Sequence, residues 1–194
     1  MKRKAILAIT TCTPKAFETW SFRDFLPFTI GDGRWSDYTI DHAFQLKLLM
    51  EAAQATDTAA ASYLAARALR KMHPLDPFAF TGGDLWVALV RYQWDEAPED
   101  WVKLGVIAGR WADLNEMAVQ HVADQDEKAK LTSVLAFSAV RIAHDLLTEA
   151  REFGLPEGEV RQVPEDLTGY PEWFKDLETS RRALIFGSDK DAEA

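Results

Sequence analysis

Between Thr11 and Tyr38 the chain gathers hydroxyls and cations, with Glu18 among them, at spacings that suit contact with a polyanion. Thr11 and Thr13 place hydroxyls beside a helix N-terminus, a combination that positions phosphate groups. Lys15 and Arg23 supply cations for phosphate or for guanine, and the span Thr13–Thr19 would be the part presented to a major groove. Glu18 falls within that span, where a carboxylate is tolerable mainly as an acceptor for cytosine N4. Arg34 and Trp35 follow the turn Gly31-Asp32-Gly33 and would reach a backbone or a minor groove.

Reacting constellations are not evident in the sequence. His42, His73, His121 and His144 show no metal-ligand spacing, and no nucleophile elbow is present. Gly31-Asp32-Gly33 lacks the third glycine and preceding strand of a dinucleotide fingerprint, and Thr81-Gly82-Gly83-Asp84 lacks the lysine of a phosphate loop. His121 with Asp124, Asp126 and Glu127 reads as a solvated helix end rather than a metal cluster. The expectation is a protein without enzymatic activity, cofactor or metal. The single Cys12 cannot form an internal disulfide or a zinc cluster, and its expected role is small-residue packing in a turn.

Helices must hold these residues in place. Thr13 before Pro14 is a hydroxyl N-cap followed by proline at the first helical position, where its missing N–H costs nothing. Phe17 and Trp20 recur inward at helical spacing, Lys15, Glu18, Thr19 and Phe22 look elsewhere, and Leu26-Pro27 ends the segment. Upstream, Ala5, Ile6, Leu7 and Ile9 follow the cluster Lys2-Arg3-Lys4 and form a first helix, separated from Thr13 by Thr10, Thr11 and Cys12 alone. Two helices joined so tightly suit a helix-turn-helix. Beyond Phe28-Thr29-Ile30, the two glycines at 31 and 33 permit a hairpin tip. Thr39 then caps a third helix whose apolar face comprises Ile40, Ala43, Phe44, Leu46, Leu48 and Met50.

In order and spacing this stretch resembles the MerR-like winged helix-turn-helix family of bacterial and phage DNA-binding proteins. Thr13, Lys15, Phe17, Trp20 and Phe25-Leu26-Pro27 stand at the family's cap, basic, apolar, aromatic and exit places. Arg34, Tyr38, Thr39 and Asp41 fit the arrangement of its wing, so the resemblance adds Tyr38 to the candidate DNA-binding residues. It covers about the first quarter of the chain. Three departures stand out: Asp24 occupies the place of a helix-ending glycine, Glu18 a groove-facing place, and the wing has one clear basic residue.

Charge divides along the same line. The chain carries net -9 overall. Within residues 1–50, Lys2, Arg3, Lys4, Lys15, Arg23, Arg34 and Lys47 oppose Glu18, Asp24, Asp32, Asp37 and Asp41, giving +2 and leaving -11 for the remainder. Phosphate contact needs lysine and arginine, so an interface with nucleic acid would be confined to the N-terminal face. No apolar run approaches the roughly 20 residues needed to span a bilayer, and a cytoplasmic location is expected.

The fold class expected is α+β and predominantly helical: an N-terminal winged helix-turn-helix over 1–55, a helical connector over 56–77, a dimerisation or regulatory domain over 78–186 with a short β-hairpin, and a disordered tail over 187–194. The hairpin comes from alternation in Leu85–Trp94 and Trp101–Ala108, although both segments are short enough to be buried helices. Asp113–Val122 and Leu131–Phe153 read as helices, the second ended by Gly154 and Pro156. Its stripe of Leu131, Val134, Leu135, Ser138, Ile142, Leu146 and Ala150 serves either self-packing or dimerisation. A pocket lined by the tryptophan-rich segment Trp86–Trp111 would admit an effector, but core packing is the better explanation of those residues.

These features lead to the expectation of a homodimeric, sequence-specific regulator of transcription that binds double-stranded DNA. Alternatives are a phage-type accessory DNA-binding protein resembling an excisionase or small terminase subunit, and a protein-interaction module using its acidic C-terminal part.

Overall fold

The computed structural model describes residues 1–30, 37–79, 83–94, 98 and 101–186. Its order is α1 (Arg3–Thr10), α2 (Pro14–Phe22), α3 (Ile40–Ala52), α4 (Thr58–Met72), β1 (Trp86–Trp94), β2 (Lys103–Gly109), α5 (Leu114–Gln125), β3 (Ala129–Ser138), α6 (Ala139–Glu152) and α7 (Glu172–Phe186). The class is therefore α+β. Met1–Arg161 form one compact unit and Gln162–Ala194 a second, so the expected divisions after residues 55 and 77 both fall inside the first.

Local caps start the helices where the sequence places them. Thr13 Oγ1 accepts from the Ala16 N–H at 3.2 Å, and Asp57 Oδ1 accepts from the Ala60 N–H at 2.8 Å. At α3 the exchange is reciprocal: Thr39 Oγ1 accepts from the His42 N–H, and His42 Nδ1 accepts from the Thr39 N–H, each at 3.2 Å. This is a capping box with histidine in the place that Glu or Gln usually fills.

The helical core is organised on α3. Ile40, Ala43, Phe44, Leu46, Leu48, Leu49 and Ala52 are buried on all its sides, the pattern of a helix enclosed by others. It packs against α1, α4 and α6. Alanines 60, 61, 65 and 68 are buried on α4, and such small side chains allow close helix approach. Arg141 on α6 donates to Glu51 on α3, and Arg91 on β1 donates to Thr56 and, at 2.9 Å, to Asp57 ahead of α4.

The sheet has the order β2-β1-β3 and is antiparallel throughout. Trp86, Ala88, Val90, Tyr92 and Trp94 share one face, as the alternation implies, and pack with Ile107 of β2 beneath Leu114, Ala118 and Val122 of α5. Val106 and Ala108 pair with Leu89 and Val87 on the opposite face.

The expected helix Leu131–Phe153 is corrected. Its first part is β3, and α6 begins only at Ala139, capped by Ser138 Oγ accepting from the Arg141 N–H at 3.3 Å. The reason is a bulge. Ser133 pairs with Arg91 and Leu131 with Tyr92, so Thr132 is the additional residue. Leu131, Val134 and Ala136 consequently share the α5 face, and the bulge gives a strand the three-residue spacing of a helix. The rest of the stripe on α6, Ile142, Leu146 and Ala150, is buried within the first unit.

In the second unit, α7 was not anticipated as a helix. Its buried Glu178 accepts from Arg181 at 3.1 Å and from Arg182 at 3.0 Å. Among the described residues no helix is long and apolar enough to cross a membrane.

Candidate nucleic-acid interface

The turn between α1 and α2 is short and tightly bonded. Thr11 takes a left-handed conformation at φ 59°, its N–H donates to Ala8 O, and the Cys12 N–H reaches back to Leu7 O, both at 3.0 Å. This double closure is a Schellman turn. Cys12 points inward and is buried, which pushes its thiol pKa up, against a hydrogen bond with the Phe17 backbone that lowers it. Thr13 then caps α2, so chain direction reverses across Thr11, Cys12 and Thr13. Lys47 of α3 extends its Nζ toward Thr10 O and Thr11 Oγ1, both at 3.5 Å, and ties the turn to the core.

The helix α2 ends in the same way. The Asp24 N–H donates to Ser21 O at 3.3 Å and the Phe25 N–H to Trp20 O at 2.8 Å, with Asp24 itself left-handed at φ 56°. Asp24 thus takes a left-handed place that glycine most often fills, and Asp is among the few residues that visit this region routinely.

Between the two turns α2 presents opposite faces. Phe17 is 2% exposed, packed edge-on to Tyr38 with ring centroids 6.2 Å apart. Lys15, Glu18, Thr19 and Phe22 are exposed and follow the i, i+3, i+4, i+7 spacing of one outward stripe. Among the described residues Lys15 and Arg23 have no ion-pair partner. Glu18 is paired with Arg3 of α1 at 2.9 Å, and the Arg3 guanidinium also lies 5.1 Å from the Phe17 ring centroid. The Thr19 hydroxyl donates to Lys15 O at 2.8 Å, leaving its oxygen lone pairs outward.

Thr11, Thr13, Lys15, Glu18, Thr19 and Arg23 are therefore exposed around one helix and its preceding turn. Arg34 and Trp35, and with them the expected wing tip Gly31–Ser36, lie outside the described residues. Tyr38 is a correction. It is 5% exposed, and Phe17, Phe28 and His42 surround its ring at centroid distances of 6.1–6.2 Å. Its apolar body is needed in the core beneath α2, so its side chain does not face outward. Burial pushes its phenol pKa up, and His42 beside it is held below its ordinary value for the same reason.

The basic cluster Lys2-Arg3-Lys4 at the start of α1 is exposed, with Lys2 paired to Asp37 at 2.6 Å. That lysine holds the Asp37 carboxyl below its ordinary pKa. Two members of this surface are not among the contact residues read from the sequence: Lys47, the tether of the turn, and Phe22, which the spacing turns outward at the end of the stripe. The seven-residue interval from Lys15 to Phe22 carried the signal for the second.

Three of the tryptophans from the segment expected to line a pocket are engaged with neighbours. Trp86 stacks at a tilt on Trp111 at 4.7 Å, and Trp94 Nε1 donates to Asp126 at 2.9 Å. A cleft beside α5 is lined by Ile107, Met117, His121 and polar or acidic side chains. No family model matches this chain, and no curated protein matches it.

Proposed function

We propose that the protein is a duplex DNA-binding regulator that reads sequence through α2. The observation that carries this reading is the outward stripe of Lys15, Glu18 and Thr19 on a helix anchored by buried Phe17 and held between two Schellman turns. A helix with its N-terminus and a cation outward can enter a major groove. Lys15 takes guanine O6 and N7 or a phosphate, Arg23 takes phosphate, and the hydroxyls of Thr11 and Thr13 with the α2 N-terminus position the backbone. Arg34 and Trp35 serve as the wing contact. Glu18 accepts from cytosine N4 once Arg3 turns to a phosphate. The N-terminal surplus of positive charge is modest, so two copies on adjacent half-sites are needed for firm binding.

The test is recovery and sequencing of genomic fragments retained by the purified full chain at two salt concentrations. An enriched inverted repeat is expected. Lys15→Ala should weaken retention and lower the slope of log affinity against log salt by about 1, the loss of one phosphate-type contact, and Arg34→Ala should act likewise. Retention of no DNA at either salt would overturn the reading.

A further inference from the structure

Phe22 is the most exposed large apolar side chain among the described residues, at 92%, and the next, Trp101, stands at 61%. It makes no ring contact among the described residues, so it contributes nothing to the core. Its backbone is nevertheless fixed, because it is the last residue of α2 and the closing turn bonds Ser21 and Trp20 on either side of the helix end. An apolar ring is thus displayed at a defined place on a stripe otherwise made of a cation, an acid and a hydroxyl.

Resting on the DNA-binding reading above, we propose that Phe22 is a specificity-determining residue that recognises thymine by its 5-methyl group. Only thymine among the four bases offers an apolar group in the major groove, and apolar side chains are what contact it. Covering a methyl with the ring removes apolar surface of both from water, a gain available at A·T pairs of one orientation and at no other pair. Position adds a second requirement. Seven residues at a 1.5 Å rise place Phe22 roughly 10 Å along α2 from Lys15. That distance is close to three base-pair steps of roughly 3.4 Å. The site therefore carries a thymine about three pairs from the guanine that Lys15 contacts. Arg23, next in the chain and exposed, is free to hold the adjoining phosphate.

The experiment selects from a random-sequence duplex library with the full-length wild type, Phe22→Ala, Phe22→Leu and Lys15→Ala. The best wild-type duplex is then resynthesised with single thymines replaced by deoxyuridine, which lacks only the methyl group. The expected result is one position at which deoxyuridine weakens wild-type binding about fourfold, the worth of one buried methyl group. Phe22→Ala should be indifferent to that replacement and should lose the thymine from its selected motif. Phe22→Leu should retain part of both, and the exposure of the side chain means that all variants fold. If Phe22→Ala selects the wild-type motif and no deoxyuridine position matters while Lys15→Ala weakens binding, the thymine proposal falls and the DNA reading stands. If the wild type enriches no duplex, both fall.

Discussion

At the scale of single residues, Thr11 sets the proposed phosphate contact against stability. A β-branched side chain at φ 59° is strained, because its Cβ substituents crowd the backbone that a glycine would leave clear. Such strain is of order 1–3 kcal/mol and persists where the surroundings over-determine it. Here the turn is closed by two backbone hydrogen bonds and approached by Lys47. Thr11→Gly is therefore expected to raise unfolding stability by about 1 kcal/mol in guanidinium titration, since glycine adopts the conformation without strain. The same variant loses the hydroxyl proposed to meet phosphate, so on that proposal its DNA retention should fall as its stability rises. The caps show how much of the site was legible at this scale. Thr13 and Thr39 act on atoms three residues away, so their type and position suffice. Tyr38 was misplaced outward because its burial depends on Phe17, Phe28 and His42 from other segments, which spacing within one segment does not reveal.

At the scale of elements, the sheet and α5 are matched through a missing side chain. A Cβ on Gly105 of β2 would come within 2.2 Å of His121 Nε2, so the imidazole lies on the strand where only glycine leaves room. Gly105→Ala should destabilise by about 1–3 kcal/mol, the usual cost of overpacking. Adding His121→Ala should return most of that loss, because it removes the obstructing ring, and urea unfolding of the single and double variants measures the coupling. The strands β1 and β2 were legible because alternation runs through them unbroken. β3 was not, since the bulge at Thr132 put Leu131 and Val134 on one face at a helical interval. The acid-rich and proline-bearing stretch after Glu157 likewise obscured α7, whose buried Glu178 is stabilised by Arg181 and Arg182 one turn on.

At the scale of the whole molecule, acid should weaken the fold well before its carboxylates protonate. His42 and His121 are both held below their ordinary pKa of 6.5, each chiefly by burial, so the folded chain favours their neutral forms and the unfolded chain takes up protons first. Stability is therefore full above about pH 6.5 and declines as pH falls from there toward the folded pKa values. The lowered carboxyls of Asp37 and Asp57 act in the same direction, below their ordinary 3.8. Melting temperature should be flat from pH 8 to 7 and drop between roughly pH 6.5 and 5. His42→Gln keeps a side-chain acceptor for the Thr39 N–H and should shallow that drop, whereas an unchanged profile would remove His42 from the account. The enclosed position of α3 has a further consequence for how this chain can change over generations. Its side chains answer to α1, α4 and α6 together, so a substitution there needs accommodation on several sides at once. Of the outward residues of α2, Glu18 meets Arg3 of α1, while Lys15, Thr19 and Phe22 have no ion pair or ring contact with α1, α4 or α6 among the described residues. If α2 reads DNA as proposed, the chain can exchange what it reads, one exposed side chain at a time, while the helix beneath stays as it is.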